Sequence, residues 1–124
     1  MCVKFVKTWE IKGIWSEAPY ERLLKVILSP DTHGLKNLSM GMTLLPPGNS
    51  SKPHLHAKEE EIYYILSGRG EVIVGGETID IERDVAVYIP PGNIHQLINK
   101  GDETLKVLWI FSPPGPEKRP GEGS

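Results

Sequence analysis

Apolar residues in this chain come in short bursts that lack the length or the period for an amphipathic helix. The bursts are rich in Val, Ile, Leu, Tyr and Trp and are cut apart by clusters of Gly, Pro, Asn and Asp, which is the pattern of short strands joined by turns. Strands are expected over Val3–Ile11, Arg22–Leu28, Leu38–Leu45, Glu61–Leu66, Glu71–Val74, Thr78–Ile81, Val85–Ile89, His95–Ile98 and Leu105–Phe111. Such a chain hides its apolar strand faces only by stacking sheets or by closing a sheet on itself, so the pattern predicts an all-β sandwich or barrel. Gly75-Gly76 between two short runs reads as a two-residue hairpin turn, because glycine reaches positive φ without steric cost. Pro46-Pro47-Gly48-Asn49 and Pro90-Pro91-Gly92-Asn93 are two similar breakers, each followed by histidine, and the parallel suggests that both deliver histidines to one place.

At 124 residues the chain fits one domain. No apolar run approaches the roughly 20 residues that span a bilayer. The N-terminal MCVKFVKTWEIK alternates apolar and charged residues instead of showing the layout of a secretion signal, so a cytoplasmic location is expected. The single Cys2 excludes an internal disulfide and reads as a bystander thiol. A net charge of −2 with both signs interspersed lacks the basic footprint of a nucleic-acid binder, which leaves small molecules and proteins as partners. Residues 113–124 are mostly Pro, Gly and charge, so a domain over 1–112 with a flexible C-terminal tail is expected, and SPDTHGLKN over 29–37 reads as an exposed loop.

The chemistry concentrates in HLHAKEEEIYYILSG, residues 54–68. On an extended backbone His54 and His56 point to one face, with Leu55 turned away. Imidazole with carboxylate suits a divalent transition metal, and two histidines plus one carboxylate leave coordination positions open. His33 and His95 are the candidates for a third imidazole, and His95, just before the strand-like QLIN, fits better. The bland reading of the pair is two hydrogen-bonded or surface histidines, and that of the acidic run is a solvated turn. Periodicity does not choose among Glu59, Glu60 and Glu61, because a turn at Ala57-Lys58 breaks the alternation.

The spacing Gly48, His54, His56, Glu61, Gly68 resembles the first motif of the cupin superfamily without a deviation. Pro90, Gly92, His95 and Asn99 fall in register with the second motif, which departs only where Asp84 stands in place of a turn glycine. The chain is thereby similar to small single-domain cupins of the cupin-2 type. The resemblance implies a conical double-stranded β-helix, or jelly-roll barrel, with one divalent ion (Mn, Fe, Ni, Zn or Cu) held by His54, His56, Glu61 and His95. Glu59 and Glu60 are then expected to face solvent. It also implies a small-molecule substrate or ligand and a homodimer; because an exposed apolar edge is costly to leave bare, VKFVKTWEIK is expected either to pair with the neighbouring subunit's sheet or to close its own.

Around these residues, Tyr63 follows Glu61 on the same face, where its hydroxyl would either orient a substrate or serve as a satisfied core group. Val107, Trp109 and Phe111 alternate into the interior as lining or filling, and Met40 and Met42 share one strand face as pocket walls or gap-fillers. Asn99 reads as a turn cap, Gln96 as pointing away from His95, and Arg69 as a surface charge. Two functions follow. The favoured one is a metal-dependent enzyme, dioxygenase-like or otherwise oxygen-chelating, within a family that also holds decarboxylases, isomerases and lyases. The rival is a non-catalytic module binding a sugar or other metabolite.

Overall fold

A computed structural model describes residues 3–118; Cys2 and the end of the tail, 119–124, lie outside the described residues. The strands are β1 (Ile14–Trp15), β2 (Leu23–Leu28), β3 (Ser39–Leu45), β4 (Glu60–Ser67), β5 (Arg69–Val74), β6 (Glu77–Glu82), β7 (Ala86–Ile89), β8 (His95–Asn99) and β9 (Leu105–Ser112). All pairings are antiparallel. They build a six-stranded sheet in the order β1-β2-β3-β9-β4-β7 and a three-stranded sheet in the order β6-β5-β8.

The alternation that marked the strands sets their inner faces. Burial along β4 alternates through Glu61, Tyr63 and Ile65, and along β9 through Leu105, Val107, Trp109 and Phe111. These side chains meet Val72, Ile81 and Leu97 of the smaller sheet in one core, so both sheets close over a shared interior. Burying a side chain of this size contributes about 1.5–3 kcal/mol, which makes the interior rows the main source of stability. Trp109 needs room: a Cβ at Gly41, its cross-strand partner, would lie 2.2 Å from the indole ring. The indole nitrogen donates to Thr43 Oγ1 at 3.0 Å, which satisfies its one polar atom. Gly75 and Gly76, both at positive φ, make the tight β5–β6 turn that their sequence predicts.

Two expectations are corrected. Val3–Ile11 is not a strand: it is irregular except for a 3-10 turn at Thr8–Glu10, and Phe5 and Trp9 stand exposed. Its alternation therefore has no inward face to serve. The expected loop at 29–37 contains a one-turn helix, α1 (Pro30–His33), because Ser29 and Thr32 form a reciprocal capping box and Gly34 closes it in the left-handed region. After β9, a 3-10 turn at Pro116–Lys118 buries Pro116, and Ser39 Oγ donates to Glu117 Oε1 at 2.7 Å.

Candidate metal centre

Two backbone ties bring the histidines together. His54 and His95 exchange a pair of hydrogen bonds, His54 N to His95 O at 3.1 Å and His95 N to His54 O at 2.8 Å. Gly92 N, from the second breaker, donates to His56 O at 2.8 Å. The segment after the first proline-rich breaker is thus stitched to the one after the second, as their parallel suggested. Glu61 approaches from the larger sheet, opposite Ile89 of β7 and Phe111 of β9.

The result is a cluster of His54, His56, Glu61 and His95 in which one ligand atom from each lies within 4.8 Å of the others. His33 stays outside it, its Nδ1 engaged with Thr32 Oγ1. Donors at about 2.0–2.2 Å from one ion are separated by up to about twice that distance, so the cluster closes on an ion with small side-chain adjustments.

Hydrogen bonding orients the imidazoles for that task. His54 Nδ1 donates to Lys52 O at 2.6 Å and His95 Nδ1 to Asn93 O at 3.1 Å, so each ring turns Nε2 inward. A backbone carbonyl that holds one imidazole nitrogen is the usual support for a metal-binding histidine. His54 Nε2 is buried with no hydrogen-bond partner among the described residues, an orphan that an ion would satisfy. His95 Nε2 and Glu61 Oε1 stand 3.0 Å apart and His56 Nε2 and Glu61 Oε1 3.5 Å apart, contacts that require a cation or a proton between them. Protons alone would set imidazolium rings at centroid separations of only 4.2–5.1 Å. Burial first, and then the neighbouring His95, push the His54 pKa down to about 4, partly opposed by the Lys52 carbonyl and Glu61. That keeps His54 neutral and able to donate a lone pair at ordinary pH. The residues therefore fit a divalent ion better than a purely proton-bridged cluster.

The surroundings are aromatic. Phe111 packs edge-on against His56 with centroids 4.9 Å apart, Trp109 lies beyond Phe111, and the fully buried Tyr63 ring is 6.3 Å from His95. Met40 and Met42 pair with Ile110 and Leu108, the β9 positions that alternate with the inward residues, so they lie on the outer face of the sheet, where Met42 is buried and Met40 half-buried. Asn99 caps a turn as expected, donating to Leu45 O and Glu103 O and accepting from Gly101 N. Asp84, in the glycine position of the second motif, adopts φ 69° and so fills the turn glycine's conformational role.

Two buried charged groups escaped the sequence reading. Glu60 is exposed as expected, but Glu59 is buried, correcting the expectation that it faces solvent. It lies one residue before β4, on the opposite side of the chain from Glu60, so the strand's alternation begins before its ladder does. Arg22 is also buried, donating from Nη1 to Tyr20 O at 3.2 Å and Ser16 Oγ at 3.4 Å, and burial lowers its pKa while Tyr63 opposes the shift. In sequence it reads as an ordinary charge at a strand end.

Residues 41–111 match the family model described as a cupin domain. An uncharacterised protein of Methanocaldococcus jannaschii is 33% identical over 74% of this chain and 74% of its own length. The polyketide synthase protein CurC of Streptomyces cyaneus is 34% identical over 76% of this chain, which spans only 61% of that relative. Among solved structures, a Thermotoga maritima protein described as a predicted oxalate decarboxylase superposes with a TM-score of 0.81 at 27% identity, covering 90% of this chain and all of that one. With two facing antiparallel sheets and both motifs in place, the chain belongs to the cupin family. Among the described residues, no helix is long and apolar enough to cross a membrane.

Proposed function

We propose that the protein is a metal-dependent enzyme acting on a small oxygen-rich molecule, with one divalent transition-metal ion held by His54, His56, Glu61 and His95. The observation that carries this reading is the convergence of four buried or half-buried donors, with the His54 and His95 rings oriented from behind by backbone carbonyls. A bound ion supplies a Lewis acid with positions left over for adjacent oxygens of a substrate. The chain's own contribution is to hold the ligands rigid, to exclude bulk water with Phe111, Trp109 and Tyr63, and to present the Tyr63 hydroxyl to the interior. Within oxygen-chelating chemistry, the narrower proposal is a dioxygenase-like reaction.

The test is elemental analysis of protein made in its own host, followed by titration of the loaded protein with paired-oxygen ligands while dioxygen is monitored. About one ion per chain, a spectral change on ligand addition and dioxygen uptake are expected. Failure to take up Mn, Fe, Ni, Zn or Cu overturns the metal centre, whereas tight ligand binding without turnover under any of these ions replaces the enzyme with a binding module. The homodimer belongs to the same proposal and rests on Phe5 and Trp9, which expose 72% and 76% of their surfaces. Light scattering that shows a monomer overturns it.

A further inference from the structure

The short segment between the second proline-rich breaker and β8 carries two of the cluster's anchors. Asn93 O accepts from His95 Nδ1 at 3.1 Å, and Gly92 N donates to His56 O at 2.8 Å. Beside this segment lies a surface hollow of about 450 Å³ bordered by Pro53, Ile73, Gly75, Gly76, Ile94 and Gln96. Ile73 and Gln96 are cross-strand partners that alternate with the buried Val72 and Leu97, so the hollow is outside the shared interior. Pro91, Gly92 and Ile94 are exposed and Asn93 is half-buried, so hydrogen bonds and not packing hold the segment in place. Asn93 supplies two of them: its Nδ2 donates to Pro90 O at 3.4 Å and to Pro91 O at 3.2 Å. From the β5–β6 turn, Gly75 N donates to Ile94 O at 2.9 Å. A Cβ at Gly75 would lie 2.9 Å from Asn93 Oδ1, whereas a Cβ at Gly76 would meet nothing within 4 Å.

A metal-binding imidazole keeps its aim only if the acceptor behind its other nitrogen is itself fixed. For His95 that acceptor is a main-chain carbonyl on an exposed turn. We propose that Asn93 is a positioning residue of the metal centre: its carboxamide locks residues 90–94, and through their main chain it sets the rotation of the His95 ring and the placement of His56. Gly75 is its counterpart, a position kept free of a side chain so that the carboxamide stays seated. This rests on the metal centre proposed above and names what sets the affinity and geometry with which that centre takes its ion. Asn93 acts through the two histidines and not on the ion. A side chain that merely capped the turn would affect stability and leave ion binding unchanged.

The full chain titrated with cobalt(II) provides the test, read by its visible spectrum, by competition with a chelator and by Tm without metal. Asn93→Ala is expected to weaken cobalt(II) binding about 10–100-fold, the range for losing the support of a metal-binding histidine, and to shift the visible bands. Gly75→Ala presses on the carboxamide and should weaken binding severalfold. Gly76→Ala is the control: at φ 85°, against 57° for Gly75, it carries at least the same backbone strain, yet it should leave affinity and spectrum unchanged. In the Asn93→Ala background the alanine at position 75 has nothing to press on, so the two losses should not add. Unchanged affinity and spectrum in Asn93→Ala, fully additive losses, or Gly75→Ala and Gly76→Ala acting alike overturns the role of Asn93 and leaves the metal centre standing. If Asn93→Ala does not fold, the two glycine variants decide in the same way. A wild type that takes up no cobalt(II) overturns both.

Discussion

Replacing Glu61 with glutamine separates a metal ligand from a structural ion pair. The carboxylate is fully buried, with Oε1 3.0 Å from His95 Nε2 and 3.5 Å from His56 Nε2. If the cluster were only a buried ion pair, removing one partner's charge would cost about 3–5 kcal/mol with or without metal. In a domain of this size that lowers Tm by roughly 10–20 °C. A metal ligand behaves the other way. Without an ion the glutamine relieves a carboxylate packed against imidazole lone pairs, so the metal-free variant melts within a few degrees of the metal-free wild type. An ion at a hundredfold excess over its Kd stabilises the wild type by about 2.7 kcal/mol. That corresponds to about 10 °C in Tm. The same ion should move the variant by less than about 3 °C, because an amide oxygen is a poor replacement for a carboxylate ligand. Scanning calorimetry near pH 8, with and without the ion, gives both comparisons. A variant that loses stability without metal yet keeps the full metal-induced shift refutes the assignment of Glu61 as a ligand.

Acid should destabilise the metal-free protein through His54. Its pKa is about 4 when folded against 6.5 ordinarily, so between those values the unfolded chain binds the extra proton and stability falls as pH falls. The loss reaches about 3 kcal/mol and levels off below pH 4, and urea melts across this range should show it. Gly41→Ala places a methyl group 2.2 Å from the Trp109 ring and 2.6 Å from Lys25 O, and it should cost about 3 kcal/mol or more in the same melts. Asp84→Gly removes a left-handed non-glycine residue and loses the exposed bond from the Tyr64 hydroxyl at 3.0 Å, so net stability should change by no more than about 1 kcal/mol. That hydrogen bond raises the Tyr64 pKa, and the variant should titrate lower in ultraviolet absorbance.

Most of the fold was legible because each strand of the two-sheet core carries its own signal. β9 alternates along its whole length and β4 along most of it, and the β5–β6 turn is written in adjacent glycines. Val3–Ile11 shows the same alternation and is not a strand, since period alone does not say whether a neighbouring edge exists to pair with. The four convergent donors were legible from motif spacing, which encodes the loops that return His54 and His95 to each other. Glu59, Arg22 and Glu117 were not, because their positions depend on side-chain reach and on packing of segments distant in sequence. The residue facing Ser39 from the C-terminal side could not be foreseen from a stretch composed of proline, glycine and charge.

The reciprocal bonds between His54 and His95 join main chain to main chain, so they are indifferent to the side chains around them. Residues on the rim, turns remote from this clamp and the C-terminal return can therefore be exchanged, lengthened or recharged while the two rings stay in place. A lineage built on this clamp can change what it recognises without rebuilding what it coordinates.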